Sequence, residues 1–203
     1  MLNIKYKGKY KDEKQLIENS KLYENATMFK EEETVTEAFK SGIKFVIPIV
    51  LIMIITTIIL IKINNIKLGY SIPQLVVTSL LLLPLTYIHE IIHALTFPLK
   101  EIKDIYTKPQ EMALFVYSNA IVSKKRFVVI CLMPITILGI IRFIIEILLI
   151  NTIPIEFIID IIYISVAMII CGLGDFTNAY NTIKQVPKKA KVFNYGYHSY
   201  WIK

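Results

Sequence analysis

Residues 74–99 read QLVVTSLLLLPLTYIHEIIHALTFPL, an apolar run that few polar side chains interrupt. A helix that crosses a bilayer needs about 20 predominantly apolar residues, so this run is long enough to form one. Near its end stand His89, Glu90 and His93, and ionisable groups inside a membrane span are costly enough to indicate a function. The run therefore predicts a transmembrane helix that carries chemically active side chains.

The composition of the whole chain also indicates a membrane protein. Of its 203 residues, 55% are hydrophobic and only 19% are charged. This balance excludes an intrinsically disordered chain, which carries more charge and fewer apolar residues. Both cysteines, Cys131 and Cys171, lie inside apolar runs, so we expect neither a disulfide scaffold nor a cluster of thiolate zinc ligands.

Four apolar runs are long enough to span a bilayer, and they cover approximately residues 43–61, 74–99, 127–150 and 153–175. We therefore expect an all-α integral membrane protein, a bundle of about four transmembrane helices. The predicted organisation is a polar cytosolic N-terminal segment (1–41), a four-span membrane domain (42–183) and a basic, aromatic cytosolic tail (184–203).

The distribution of charge predicts the orientation of the chain in the membrane. Residues 1–41 hold eight Lys and eight acidic residues, so the net charge of +7 belongs to the remaining chain. There the connection between the second and third runs and the tail are rich in Lys and Arg, whereas residues 151–152 have neither. The positive-inside rule places both termini and the basic connection in the cytosol. We expect a multi-pass protein of the cytoplasmic membrane, whose basic residues face the lipid bilayer and not nucleic acid.

The basic connection contains MALFVYSNAIVS, residues 112–123, in which two β-prone stretches flank Ser118 and Asn119. This pattern predicts a small cytosolic β-hairpin over residues 112–122, and an irregular amphipathic loop is the alternative. A peptide substrate could add a strand to the edge of such a hairpin, which makes Phe115 and Val116 candidate substrate contacts.

The motif His-Glu-x-x-His at residues 89–93 predicts a metal site. Residues four apart share one face of a helix, so both imidazoles can reach one zinc ion while Glu90 lies beside it. Zinc lowers the pKa of water, and a carboxylate that is not a ligand can accept the proton of that water as it attacks a peptide carbonyl. The alternative is a pair of core histidines that hydrogen-bond to neighbouring helices, with Glu90 as their partner.

A catalytic zinc usually has three protein ligands, so a third ligand must come from another part of the chain. The candidates are Asp160, Asp175, His198, Glu111 and Cys171. Counted from the extracellular helix ends, His93 and Asp175 lie about 28 and 31 Å deep, but Asp160 lies only about 9 Å deep. Depth therefore favours Asp175, and Gly172 and Gly174 before it would allow the second span to approach closely.

Three segments resemble a bacterial family of membrane proteins classed as zincin peptidases, which is itself similar to the site-2 protease type of intramembrane metalloprotease. They are HEIIHALTF (89–97), FVVICLMPI (127–135) and CGLGDFTNAY (171–180). The resemblance implies that one zinc ion is bound by His89, His93 and Asp175, with Glu90 as general base. In site-2 proteases the third ligand usually lies in an Asn-Pro or Leu-Asp-Gly signature, whereas Asp175 follows Gly-Leu-Gly.

These residues together predict a zinc-dependent intramembrane or membrane-embedded endopeptidase. It would cleave a membrane protein or peptide near the cytosolic leaflet, with Asn178 and Asn181 as candidate stabilisers of the oxyanion. The alternative is a non-catalytic metal-binding membrane protein that acts as a regulatory or immunity-type partner. The string Gly172–Asp175 also fits an intramembrane aspartyl protease, but no second aspartate lies on a different span to share a proton with it.

Overall fold

The computed structural model describes residues 3–18, 20–32, 35–65, 71–109, 113–152 and 154–203. The helices in these ranges are α1 (Lys14–Ile17), α2 (Val35–Ile63), α3 (Ile72–Thr96), α4 (Lys124–Ile135), α5 (Arg142–Leu148), α6 (Ile155–Cys171) and α7 (Leu173–Gln185), and a π-helical segment, Thr136–Ile141, joins α4 to α5. The strands are β1 (Ile4–Lys9), β2 (Thr27–Met28), β3 (Lys103–Lys108), β4 (Ala113–Tyr117), β5 (Val122–Ser123), β6 (Lys191–Tyr195) and β7 (His198–Ile202).

The helices are accompanied by two β-sheets, so the prediction of an all-α bundle was wrong. In the three-stranded sheet, β1 pairs in parallel with β3, and β3 pairs antiparallel with β4. The four-stranded sheet has the order β2-β7-β6-β5 and is antiparallel. The polar N-terminal segment supplies β1 and β2, and the aromatic tail supplies β6 and β7. The sheets form because these segments bury aromatic side chains, among them Tyr10, Phe29 and Phe193.

The hairpin predicted over residues 112–122 was also wrong, because β4 and β5 belong to different sheets. β4 turns back on β3, with Tyr117 opposite Asp104, whereas β5 pairs with β6. The polar residues between them do not form a hairpin turn. The hydroxyl of Ser118 donates to the carbonyl of Ile102 at 2.7 Å, and the side-chain oxygen of Asn119 accepts from the amide of Lys21 at 3.0 Å. These hydrogen bonds hold the connection against the N-terminal segment and against the residue that precedes β3.

Three helical stretches are long and apolar enough to cross a membrane: Thr36–Ile63, Ile72–Thr96 and Lys124–Leu148. They correspond to the first three predicted spans. The fourth predicted span is divided, because α6 and α7 meet at an angle of 47° and can cross only as a bent pair. The bend at Gly172 places Asp175 in the first turn of α7.

Local sequence explains both ends of α3, the helix that carries the His-Glu-x-x-His motif. At its start the hydroxyl of Ser71 accepts a hydrogen bond from the amide of Gln74 at 3.3 Å, as an N-cap residue does. Beyond its end, the fully buried Lys103 donates to the carbonyls of Pro98 and Leu99, at 3.1 Å each. These contacts fix the chain that leaves α3 against the start of β3.

Arg142 and Glu146, four residues apart on α5, form an ion pair. Arg142 Nε lies 3.1 Å from Glu146 Oε1, and the hydroxyl of Ser165 on α6 donates to the same carboxylate at 3.1 and 3.3 Å. Glu146 is buried, so this network provides the partners that a carboxylate needs in an apolar interior. It joins α5 to α6 at a distance from the metal-site motif.

Two glycines allow close packing beside Asp175. A Cβ on Gly42 of α2 would overlap the backbone oxygen of Leu173, the first residue of α7, and Thr177 donates to the carbonyl of Ala38 at 2.9 Å. A Cβ on Gly172 would overlap the side chain of Ile135. Gly172 therefore packs against α4, and not against the second span as predicted.

The Gly42→Ala substitution is expected to destabilise the protein by about 1–3 kcal/mol, because a backbone atom cannot move aside cheaply. The thermal unfolding midpoint in detergent and the zinc content of the purified protein measure the effect, and both should fall together. Lys40→Ala, at an exposed position two residues earlier on α2, is the control. Equal midpoints for the two variants would contradict the close approach of α2 and α7.

Candidate metal centre

The two histidines of the motif lie side by side on α3. His89 and His93 are both buried, and their Nε2 atoms are 3.2 Å apart. The four-residue spacing explains this arrangement, since it places both side chains on one face of the helix. Two imidazole nitrogens therefore converge on one point inside the protein.

Asp175 completes the cluster from the first turn of α7. Its Oδ2 lies 3.0 Å from His89 Nε2, and its Oδ1 lies 3.3 Å from His93 Nε2. Ligand atoms around a tetrahedral zinc with bonds of about 2.0–2.1 Å are separated by about 3.3 Å, so these spacings fit the donor set. Among the residues that the structure describes, this is the one group of three metal-ligating side chains close enough to share an ion.

The hydrogen bond of His93 determines which of its nitrogens is available to a metal. His93 Nδ1 lies 2.8 Å from the carbonyl oxygen of Ile130 on α4, and a carbonyl can only accept. Nδ1 therefore carries the proton, and Nε2 presents its lone pair toward His89 and Asp175. His89 Nδ1 is buried and has no hydrogen-bond partner among the described residues, so its tautomer is not fixed in this way.

Glu90 lies between the metal-site cluster and β4. Its Oε2 accepts a hydrogen bond from the backbone amide of Val116 at 3.2 Å. β4 is the last strand of the three-stranded sheet, and alternate residues of an antiparallel strand direct their amides away from the partner strand. The Val116 amide is thus an outward-facing group of the strand edge, and that edge lies directly beside Glu90.

A cleft of about 570 Å³ opens on the same side of the protein. Phe115 and Val116 of β4 and Asn178 of α7 line it, so the three predicted substrate contacts share one cavity. Asn178 lies one turn after Asp175 on α7, and Val116 contacts Glu90. None of His89, Glu90, His93 and Asp175 lines the cleft itself, and Val116, which contacts Glu90, connects it to them.

The other candidates for a third ligand lie elsewhere. Asp160 of α6 accepts hydrogen bonds from Gln74 at 2.8 Å and Thr78 at 2.6 Å, in a polar contact between α3 and α6. His198 of β7 pairs with Glu31 at 3.3 Å. The exposed Cys171 is not part of the cluster, and Glu111 lies outside the described residues.

Sequence reasoning did not foresee that the N-terminal segment and the tail would line this cleft. Glu13 and Glu31 come from the former, and Tyr197 and His198 from the latter. No local pattern marks these residues, because they meet only when β2 pairs with β7 and β1 pairs with β3. Asn181, the second candidate for oxyanion stabilisation, is buried on α7 and is not among the residues that line the cleft.

The chain matches the model of one known protein family. Residues 81–191, more than half of its length, match the model of the family described as "Putative zincin peptidase". The chain belongs to this family. The match includes His89, Glu90, His93 and Asp175, and it confirms the zincin resemblance seen in the sequence. No curated protein and no solved structure matches the chain.

The family description implies a metallopeptidase. Zincins use zinc, and two imidazoles with one carboxylate are ligands that zinc accepts in catalytic sites. His89, His93 and Asp175 can therefore hold the ion that the family description implies.

Proposed function

We propose that the protein is a zinc-dependent endopeptidase that cleaves membrane-inserted or membrane-proximal peptides near the cytosolic leaflet. His89, His93 and Asp175 hold one zinc ion, and Glu90 is the general base. The contact of Glu90 Oε2 with the Val116 amide is the observation that most supports this proposal, because it joins a catalytic carboxylate to an open strand edge. A peptide that pairs with this edge passes beside the base.

In the proposed hydrolysis of a peptide bond, the zinc ion and the protein side chains have different roles. Zinc supplies a Lewis acid that lowers the pKa of water and polarises a carbonyl. Glu90 accepts the proton of the attacking water and returns it to the leaving amine, and Asn178 is the proposed donor to the developing oxyanion. The Ile130 carbonyl keeps the imidazole of His93 oriented.

The substrate binds as an added strand. A membrane-spanning helix hides its carbonyls in internal hydrogen bonds, so it must unwind before cleavage, and pairing with β4 holds the unwound segment. Val116 provides the outward-facing amide of this edge, and Phe115 beside it provides an aromatic side chain. In the absence of substrate, Glu90 accepts a hydrogen bond from the Val116 amide. The carbonyl of an arriving peptide competes for the same amide. Binding therefore releases the carboxylate for its role as base.

The Val116→Pro substitution tests this edge, because it removes the amide that faces Glu90. Proline is tolerated where an edge-strand N–H points outward, so the protein should keep its fold and its zinc. We expect kcat/KM for a fluorogenic membrane peptide to fall on the order of tenfold to a hundredfold. Val116→Ala retains the amide and should cleave at close to the original rate. Equal activity of both variants would contradict pairing at β4.

The alternative is a non-catalytic metal-binding membrane protein that acts as a regulatory or immunity-type partner. Metal binding alone does not separate it from the enzyme, since a structural ion would use the same His89, His93 and Asp175. Zinc-dependent cleavage that requires Glu90 separates the two functions, since a structural carboxylate predicts no cleavage by any variant.

A further inference from the structure

The walls of the cleft combine aromatic rings with carboxylates. Phe115 and Tyr197 each make an edge contact with Tyr10, with ring centroids 5.4 Å apart in both pairs, and Phe115 and Tyr197 themselves line the cleft. Such rings can pack along the methylene groups of a long side chain and attract a positive charge at its end.

Three acidic residues of the N-terminal segment face the same cavity: Glu13, Glu31 and Glu32. The carboxylate of Glu13 accepts a hydrogen bond from the backbone amide of Tyr197 at 3.0 Å. The carboxylate of Glu31 accepts one from the backbone amide of Ser199, at 3.2 and 3.3 Å to its two oxygens. These hydrogen bonds position two carboxylates at fixed places along the wall. Glu32 lies beside Glu31 and adds a third negative charge to the same wall.

Few basic residues line the cleft to balance these carboxylates. Lys108 lines it from the end of β3, opposite Ala113, and His198 is engaged with Glu31. Burial raises the pKa of Glu31, which means that its ionised form lacks full solvation. A cation brought into the cleft would offset part of this cost.

We propose that the cleft binds a lysine or arginine side chain of the peptide substrate, so that the enzyme selects peptides with a basic residue near the cleaved bond. This inference rests on the proposed endopeptidase function. A peptide strand that pairs with β4 directs alternate side chains to opposite faces, and one face looks into the cleft. The stem of the basic residue packs on Phe115 and Tyr197, and its charge pairs with Glu31 and Glu32.

A metal ion is a poorer occupant of the same acidic wall. A calcium or magnesium site needs six or more oxygen ligands around one point, whereas Glu13 and Glu31 already accept backbone amides. Among the described residues, the group that could share an ion is the one at His89, His93 and Asp175. The aromatic rings beside the carboxylates further favour an organic cation.

Binding and cleavage test the proposal separately. The binding probe is a short peptide of alternating valine and threonine with one central lysine, and its control carries norleucine in place of the lysine. Both are titrated against zinc-loaded Glu90→Gln protein, so that affinity is measured without turnover. We expect the lysine peptide to bind on the order of tenfold tighter at low salt, and the difference to shrink as salt screens the charges.

Variants identify the residues that cause the preference. In the Glu90→Gln background, the double substitution Glu31→Gln and Glu32→Gln should remove most of the difference between the two peptides while zinc content stays the same. Glu24→Gln, which neutralises an exposed acid of the same segment outside the cleft, should leave it intact. Equal binding of the lysine and norleucine peptides, or a preference that survives the double substitution, would overturn the inference.

The cleavage arm keeps failure of this inference apart from failure of the proposed function. A proteome-derived peptide mixture is treated with the active protein, and the cleaved bonds are identified by mass spectrometry. Enrichment of Lys and Arg beside the cleaved bonds supports the inference, and cleavage without that enrichment rejects it. If no bond is cleaved, the endopeptidase function is rejected, and the basic-side-chain site is then judged by the binding result alone.

Discussion

Glu90→Gln protein is expected to bind one equivalent of zinc and to cleave peptides on the order of a thousandfold more slowly than the unmodified chain. Glutamine has nearly the same shape as glutamate, and its side-chain oxygen can still accept the Val116 amide. What it loses is the ability to accept a proton. The fold, the metal and the strand edge should therefore be preserved while the chemical step fails.

Turnover of a fluorogenic membrane peptide in detergent or in vesicles measures this effect, with elemental analysis of the same samples. Glu101→Gln is the matched control, because Glu101 is exposed just beyond α3 and lies outside the metal-site cluster. It should change neither quantity. Cleavage by the Glu90→Gln protein at more than a few per cent of the original rate would exclude Glu90 as the general base.

Asp175→Asn protein is expected to lose zinc, with an affinity lower by on the order of a thousandfold or more. The substitution keeps the shape of the side chain but removes the one negative charge that faces His89 and His93 in the described cluster. A neutral amide is a far weaker zinc ligand than a carboxylate. Competition with a graded series of chelators measures the affinity, and activity should disappear at the chelator concentration that removes the metal.

Asp160→Asn is the control for this experiment, since Asp160 belongs to the polar contact with Gln74 and Thr78 on the neighbouring helix α3. It should retain zinc even if its unfolding midpoint falls. An unchanged zinc affinity in Asp175→Asn protein would show that the third ligand is another group.

The sequence was informative wherever one residue pattern determines local geometry. The four-residue spacing of His89 and His93 produces their shared face, and the length of the apolar runs corresponds to the three helices that could cross a membrane. The distant Asp175 could be placed by depth because helices rise by a constant distance per residue. The structure brings all three side chains together.

The sheets could not be predicted, because their pairing is mostly non-local. β1 pairs with β3 about a hundred residues later, with Ile4 opposite Lys103, and two-residue strands such as β2 and β5 have no periodicity to detect. Ser118 and Asn119 are residue types that are common in turns, but here their side chains form hydrogen bonds to distant segments of the chain. The acidic wall of the cleft was missed for the same reason.

The four-stranded sheet constrains how the chain can thread a membrane, independently of any count of charges. Strands of one sheet must lie on one side of a bilayer, and β2, β5 and β6 belong to the same sheet. In a membrane, the chain would therefore have to cross an even number of times between β2 and β5, where α2 and α3 lie, and again between β5 and β6. The second interval contains one straight stretch that is long and apolar enough to cross, Lys124–Leu148, so in a membrane we would expect the bent pair α6–α7 to be the return crossing and not a loop that turns back.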